Sequence, residues 1–156
     1  MTLGECRGKI IFSHRDSYLA AFPGVQCFGW PDNASGAMSF KTQEGKVIEG
    51  VVEDEYNYEN AQGAAYKAEI TWKNMQDAMK NKTSERKWMI TFASATALPK
   101  AGPKDFAKVV NPFLIEKTKS LNQPCGLVLL DFSATPEAKE IIKNLILSNL
   151  NYYTNN

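Results

Sequence analysis

Charged and polar side chains follow several apolar segments of this sequence, at points where β-strands would end. Asp131 follows the run GLVLL, and Arg15 follows KIIFSH. Asp54 and Tyr56 follow KVIEGVVE. A guanidinium and carboxylates can hydrogen-bond vicinal hydroxyls, and an aromatic ring can stack on the apolar face of a sugar-like ring. The set therefore suits a polyol ligand, and it would serve acid–base chemistry if Asp131 oriented a histidine.

Each of these residues also has a simpler structural interpretation. Asp131 could cap the helix that follows it or lie in solvent. Arg15 could pair with Asp16 or Asp54 on the surface. His14, the only histidine of the chain, precedes Arg15, and successive side chains on a strand point to opposite faces. If Arg15 faces a site, His14 faces away from it, so we do not expect His14 to be catalytic.

Strands and helices alternate along most of the sequence. Apolar segments with β-branched or aromatic residues predict strands over residues 9–15, 46–58, 88–94 and 125–132. Helices are predicted over residues 59–81, 106–120 and 136–150. Pro112 is placed in the first turn of the second helix, and Thr135 is the N-cap of the third. Residues 21–38 and 96–105, which are rich in Pro and Gly, are predicted loops.

Alternation of strands and helices is typical of a mainly parallel sheet. Right-handed crossovers bring the carboxyl ends of all such strands to one face, where Arg15, Asp54, Tyr56 and Asp131 would meet. Four strands of this kind make half of an eight-stranded α/β barrel. We therefore expect one α/β domain over residues 1–156, built as part of a TIM-like barrel.

The composition excludes some classes of protein and favours others. With 156 residues, 44% hydrophobic and 22% charged, the chain is an ordinary globular domain. A net charge of +1 gives no field to recruit nucleic acid. The sequence has no apolar run that could span a bilayer and no secretory signal, so as written it is expected in the cytoplasm. Its three cysteines have no zinc-like spacing, and we assign it no metal ligand and no cofactor.

Four segments, in order, resemble the second half of the catalytic domain of phosphatidylinositol-specific phospholipase C of the bacterial and fungal kind. The segments are LGECRGKIIFSHR, then WPDN at residues 30–33, then VEDEY, and finally GLVLLDF. The resemblance extends over nearly the whole chain, and the joint occurrence of the segments is more specific than any one of them. It implies the C-terminal part of an irregular (β/α)8 barrel.

The resemblance also implies an activity. The family cleaves the phosphodiester of phosphatidylinositol to diacylglycerol and inositol 1,2-cyclic phosphate, with one histidine as general base, another as general acid and an arginine on the phosphate. By motif match, Asp131 would hold the general-base histidine, which would give it a catalytic role. Arg15 and Asp54 would hydrogen-bond inositol hydroxyls, and Tyr56 would stack on the ring. The ligand would be phosphatidylinositol or an inositol phosphate.

The catalytic histidines and arginine of the family have no counterpart here, so the chain alone is expected to be inactive. We expect this sequence to be a truncated form of a longer protein. Pairing with a separate first half or with a second copy is an alternative, and a relic that folds poorly is another. If the longer protein is secreted, it would be extracellular. The aromatics of AFPGVQCFGW, residues 21–30, could contact a membrane or pack on the domain.

Other functions remain open from the sequence. The chain could be a non-catalytic inositol-binding or interaction module. A barrel enzyme acting on sugar phosphates is a third hypothesis, although the segment SATPE after Phe132 lacks the glycines of a phosphate-binding loop.

Overall fold

The computed structural model describes residues 8, 10, 12–15, 24–81 and 87–155. The described part contains six strands and three helices. The strands are β1 (Ser13–His14), β2 (Val25–Phe28), β3 (Ser35–Lys41), β4 (Val47–Glu53), β5 (Trp88–Phe92) and β6 (Leu127–Leu129). The helices are α1 (Gly63–Met79), α2 (Pro103–Thr118) and α3 (Pro136–Asn155). This mixed α/β arrangement is a half-barrel sheet, compatible with part of a TIM-like barrel.

The strands form one sheet in the order β1-β2-β3-β4-β5-β6. β1 pairs with β2 in parallel, as β4 does with β5 and β5 with β6, whereas β3 is antiparallel to both of its neighbours. β2 and β4 therefore run in the same direction, and every strand except β3 ends at the same edge of the sheet. The predicted convergence of strand ends holds for the segments that carry Arg15, Asp54 and Asp131.

Two apolar clusters lie on the two faces of the sheet. One face packs against the helices through a cluster that includes Met75 of α1, Leu114 of α2 and Ile141 of α3. The other face, which corresponds to a barrel interior, holds Phe40 and Val52 in a second cluster. Alternation along the strands assigns each residue to one face or the other.

The helix starts follow from local sequence. In α2, Pro103 occupies the first turn, and Asp105 Oδ2 accepts a hydrogen bond from the Gly102 amide at 3.1 Å. In α3, Thr135 Oγ1 accepts a hydrogen bond from the Ala138 amide at 3.3 Å, which confirms Thr135 as the predicted N-cap.

Three sequence-based assignments are corrected by the structure. Residues 21–38, predicted as a loop, contain β2 and the start of β3, since SGAMSF has few β-branched residues and forms a strand through antiparallel pairing instead. Pro112 lies inside α2, not in its first turn, so the helix forgoes one backbone hydrogen bond there. Strand 46–58 ends at Glu53, which leaves Asp54 and Tyr56 in the segment beyond it.

The two ends of the sheet have exposed apolar side chains. Leu127 of β6 is 55% exposed, and Phe12, next to β1, is more than half exposed. Within the described residues, no helix has both the length and the apolar character needed to cross a membrane.

Candidate functional site

A pocket of about 530 Å³ opens at the edge of the sheet where β1, β2, β4 and β5 end. This volume is within the range of roughly 300–1,000 Å³ that is typical of small-molecule sites. The pocket is lined by Ser13, His14, Arg15, Cys27, Trp30, Phe40, Asp54, Tyr56, Phe92 and Ser94. Three of the four residues singled out from the sequence, Arg15, Asp54 and Tyr56, thus lie around one cavity.

Asp54 lies directly after β4 and is the anchor of the site. It is only 8% exposed, and its Oδ2 accepts a hydrogen bond from Trp30 Nε1 at 2.8 Å. Arg15 Nη1 lies 3.8 Å from the same oxygen. A buried carboxylate with an indole donor and a guanidinium beside it is held in one orientation, which leaves its other oxygen for a ligand donor.

Arg15 follows β1 and reaches across the pocket above Trp30. Its guanidinium carbon lies 5.5 Å from the centre of the indole, within the range of a cation–π contact. The Arg15 side chain is more than half exposed, so the pairing with Asp54 contributes little to stability. The guanidinium is therefore positioned by an aromatic ring while its donors still face solvent and a prospective ligand.

Tyr56 contributes a ring face to the pocket, because its hydroxyl already has a partner. The hydroxyl donates to Asp32 Oδ1 at 2.9 Å. This hydrogen bond, together with the charge of Asp32, raises the pKa of Tyr56, so the phenol remains protonated at neutral pH. The ring is 38% exposed, which is suitable for stacking on a ligand.

Asp131 lies in the turn that follows β6 and is half-buried, outside the residues that line the pocket. Burial raises the pKa of its carboxyl group. Leu129, the last residue of β6, packs in the cluster on the pocket side of the sheet. Asp131 is not among the residues that line the pocket with Arg15, Asp54 and Tyr56, and its orienting role remains a prediction.

His14 is the last residue of β1 and directly precedes Arg15. The β1–β2 register pairs Ser13 with Val25, which packs in the pocket-side cluster, and pairs His14 with Gln26. The His14 ring stacks on Phe12, with 5.9 Å between ring centres. His14 is also one of the residues that line the pocket, beside Ser13 and Arg15.

A buried ion pair lies beneath the segment that carries Asp54 and Tyr56. Lys67 of α1 and Glu53 of β4 are 0% and 1% exposed, and Lys67 Nζ donates to Glu53 Oε1 at 2.6 Å. Lys67 also donates to the Glu55 carbonyl oxygen at 2.8 Å. Burial lowers the pKa of Lys67 and raises that of Glu53, with their mutual attraction opposing both shifts. The pair fixes α1 to the strand end that holds the site.

Sequence reasoning did not assign a site role to Trp30, which the structure places between Arg15, Asp54 and Phe92. Trp30 lies in WPDN, one of the four segments that carry the resemblance, and this was a usable signal of a site role. Its partner Asp54 is remote in sequence, so the contact between them could not be predicted. Cys6, Asp16 and Phe22 lie outside the described residues. Within the described ranges, His, Cys, Asp and Glu side chains form no group that could hold a metal ion.

Comparisons with known proteins support the fold. No protein-family model matches the sequence, and no curated protein matches it at a significant level. Among solved structures, the chain is similar to a double mutant of the phosphatidylinositol-specific phospholipase C from S. aureus, with a TM-score of 0.57 and 20% sequence identity. The match covers 75% of this chain and 39% of that chain, so the chain corresponds to well under half of that enzyme. The likeness shows a fold of the same kind.

Proposed function

We propose that this chain forms the inositol-binding side of a barrel like that of phosphatidylinositol-specific phospholipase C. In this proposal, Arg15 and Asp54 hydrogen-bond the hydroxyls of the inositol ring, and Tyr56 stacks on its apolar face. The complete reaction would cleave phosphatidylinositol to diacylglycerol and inositol 1,2-cyclic phosphate.

The observation that carries the proposal is the common pocket of Arg15, Asp54 and Tyr56. These residues come from two separate motifs, and each presents the group that its role requires. Arg15 offers exposed guanidinium donors, and Asp54 is held by Trp30 with one oxygen engaged. Tyr56 presents its ring because its hydroxyl is bound to Asp32. The structural likeness to an enzyme whose name specifies phosphatidylinositol supports the same ligand class.

Cleavage would need groups that this sequence does not contain. The proposed chemistry uses a general base and a general acid, both histidines, and the chain has one histidine. The second set of groups would come from a longer chain or from a partner chain. Asp131 would then orient the base, and Asp131→Asn in the active assembly should lower kcat by a factor of roughly 10²–10⁴ without changing substrate affinity.

Ligand binding by the chain itself tests the proposal directly. We would titrate ¹⁵N-labelled protein with myo-inositol to millimolar concentration and follow the amide and indole signals of pocket residues. Charge-assisted hydrogen bonds contribute about 1.5–3 kcal/mol each, so Arg15→Ala should weaken the affinity by a factor of about 10–100.

The matched control is Lys80→Ala, which removes another exposed cation that pairs with a carboxylate, Asp77, at 3.0 Å. Lys80 is the C-cap of α1 and does not line the pocket, so its replacement should leave the affinity unchanged. The proposal fails if myo-inositol perturbs no pocket signal, or if both variants bind equally well.

A non-catalytic inositol-binding or interaction module is the second candidate. The single histidine of the sequence favours it, because the cleavage proposed above uses two histidines. Binding without release of cyclic inositol phosphate, in the longest form of the protein that cells produce, would distinguish this module from the enzyme.

A further inference from the structure

Residues 30–34 and residues 54–57 are joined by a series of hydrogen bonds that no role assigned so far explains. Trp30 Nε1 donates to Asp54, the Asp54 amide donates to the Ala34 carbonyl oxygen at 3.2 Å, and the Tyr56 hydroxyl donates to Asp32. The connection between β2 and β3 is therefore bound along its length to the segment that carries two of the proposed ligand-binding residues.

Asn33 is the centre of this network. Its Oδ1 accepts hydrogen bonds from the amides of Tyr56 and Asn57, at 2.9 and 2.8 Å. Asn33 has a φ of 49°, in the left-handed region. Among residues other than glycine, asparagine and aspartate adopt this region most readily. Position 33 thus requires both a tolerant backbone and a side-chain acceptor, which asparagine combines.

These contacts hold Tyr56 at two points, its backbone amide and its hydroxyl. Asn33 holds the backbone of Tyr56, and Asp32 holds its hydroxyl. Burial does not restrain this ring, since its side chain is one of the exposed apolar groups of the protein. The hydrogen bonds therefore hold the Tyr56 ring in place, as packing holds the side chain of a core residue. They orient the ring face on which a ligand would stack.

We propose that Asn33 is a positioning residue that orders Tyr56 before a cyclic polyol stacks on it. The proposal rests on the proposed inositol-binding function for its ligand, although the geometry that it invokes exists without one. An ordered ring spares the ligand the free-energy cost of immobilising that side chain on binding. Asn33 itself makes no contact with the ligand in this scheme.

Two substitutions at position 33 separate the acceptor from the backbone. Asn33→Gly allows the positive φ but removes Oδ1, whereas Asn33→Asp tolerates the same φ and keeps an oxygen in place. Both amides are at the surface and can bond water when the acceptor is lost, so the midpoint of urea unfolding should change little in either variant. A purely structural role would instead shift that midpoint.

The measurements are amide hydrogen exchange at Tyr56 and Asn57 and the dissociation constant for myo-inositol, in the wild type and both variants. We expect Asn33→Gly to lose protection at both amides and to bind about 5-fold more weakly, the effect of one side chain left to be ordered on binding. Asn33→Asp should retain wild-type protection and affinity.

The outcomes distinguish this inference from the function on which it rests. If the wild type binds no myo-inositol, the proposed function fails, and the exchange measurement still decides whether Asn33 holds the Tyr56 backbone. Unchanged protection in Asn33→Gly would overturn the inference. So would lost protection with wild-type affinity, or an Asn33→Asp variant as weak as Asn33→Gly.

Discussion

The buried pair of Lys67 and Glu53 gives the most demanding test of the forces that hold the site. Both side chains are almost completely buried, and the Nζ–Oε1 distance is 2.6 Å. Removing one partner of such a pair leaves a charge in the interior without compensation, which costs about 3–5 kcal/mol. We expect Lys67→Met to lower the free energy of unfolding by that amount, a large part of the roughly 5–15 kcal/mol that stabilises a domain of this kind.

The pair as a whole should be far less important than either partner alone. In the double variant Glu53→Gln/Lys67→Met, neither of the two positions carries a charge, and the glutamine oxygen can still accept the hydrogen bond that the Glu55 amide donates to Glu53 Oε1 at 3.1 Å. The lost hydrogen bond from Lys67 to the Glu55 carbonyl oxygen costs about 1–3 kcal/mol. The double variant should therefore be more stable than Lys67→Met, with a coupling free energy of about 1–3 kcal/mol.

The direction of the pKa shift of Glu53 predicts how the stability of Lys67→Met changes with pH. Burial raises the pKa of Glu53, and without the charge and hydrogen bond of Lys67 only the hydrogen bond from the Glu55 amide opposes that shift. A raised carboxyl pKa means that the folded state binds the proton more tightly, so the contribution to stability is present at low pH and lost as the pH rises through the folded-state pKa. Lys67→Met should thus be less destabilised near pH 5 than near pH 8.

Urea unfolding of the wild type, both single variants and the double variant, at each pH, measures these quantities. A cost below about 1 kcal/mol for Lys67→Met would refute the reasoning, because it would mean that water reaches the pair. A double variant less stable than Lys67→Met would refute it as well.

Three further predictions concern a close backbone approach, a buried thiol and a buried carboxyl. In Gly126→Ala, at a φ of +85°, Cβ would lie 2.7 Å from a carbonyl oxygen of β5, whereas Gly45, at +80°, faces open space. Gly45→Ala should cost about 1–2 kcal/mol of strain and Gly126→Ala clearly more; equal costs in urea unfolding would contradict the close approach. Burial raises the pKa of Cys125 from 9.0 to about 11. Its alkylation by iodoacetamide at pH 8 should therefore be about 100-fold slower in the folded than in the unfolded protein, as measured by peptide mass spectrometry. Comparable rates would show that the thiol is accessible. Burial raises the pKa of Asp131 above 3.8, so ionisation of this carboxyl group lowers the stability of the folded state. The wild type should therefore lose stability as the pH rises past that value, and Asp131→Asn should not show this loss. Parallel pH profiles would exclude this shift.

The parts of the fold that could be predicted from sequence are those with local signals. Strand β5 is a compact apolar run, and α3 begins with Thr135 and Pro136, so both elements were identified close to their observed starts. The strand-end position of Arg15 and Asp54 followed from the rule that parallel strands end together. These predictions needed no knowledge of which residues meet in space.

The parts that could not be predicted depend on remote partners. β3 has two large apolar residues, Met38 and Phe40, among small and polar ones, and it is paired through hydrogen bonds with β2 and β4 on both sides. Lys67 occupies a helix position whose neighbours Ala64 and Ala68 are buried, which was a usable signal that it has an internal partner. The identity of that partner, Glu53, required the structure.

The reversal of β3 is what gives this site its particular construction. In an all-parallel half-barrel, the chain leaving β2 would cross to a helix and return at the opposite edge of the sheet. Here β3 runs back directly, and Ser35 at its start pairs with Glu53 at the end of β4. The β2–β3 connection therefore lies beside the segment after β4, within reach of its amides. This arrangement brings Asn33 to the Tyr56 amide, so the ordered aromatic ring depends on the antiparallel course of β3.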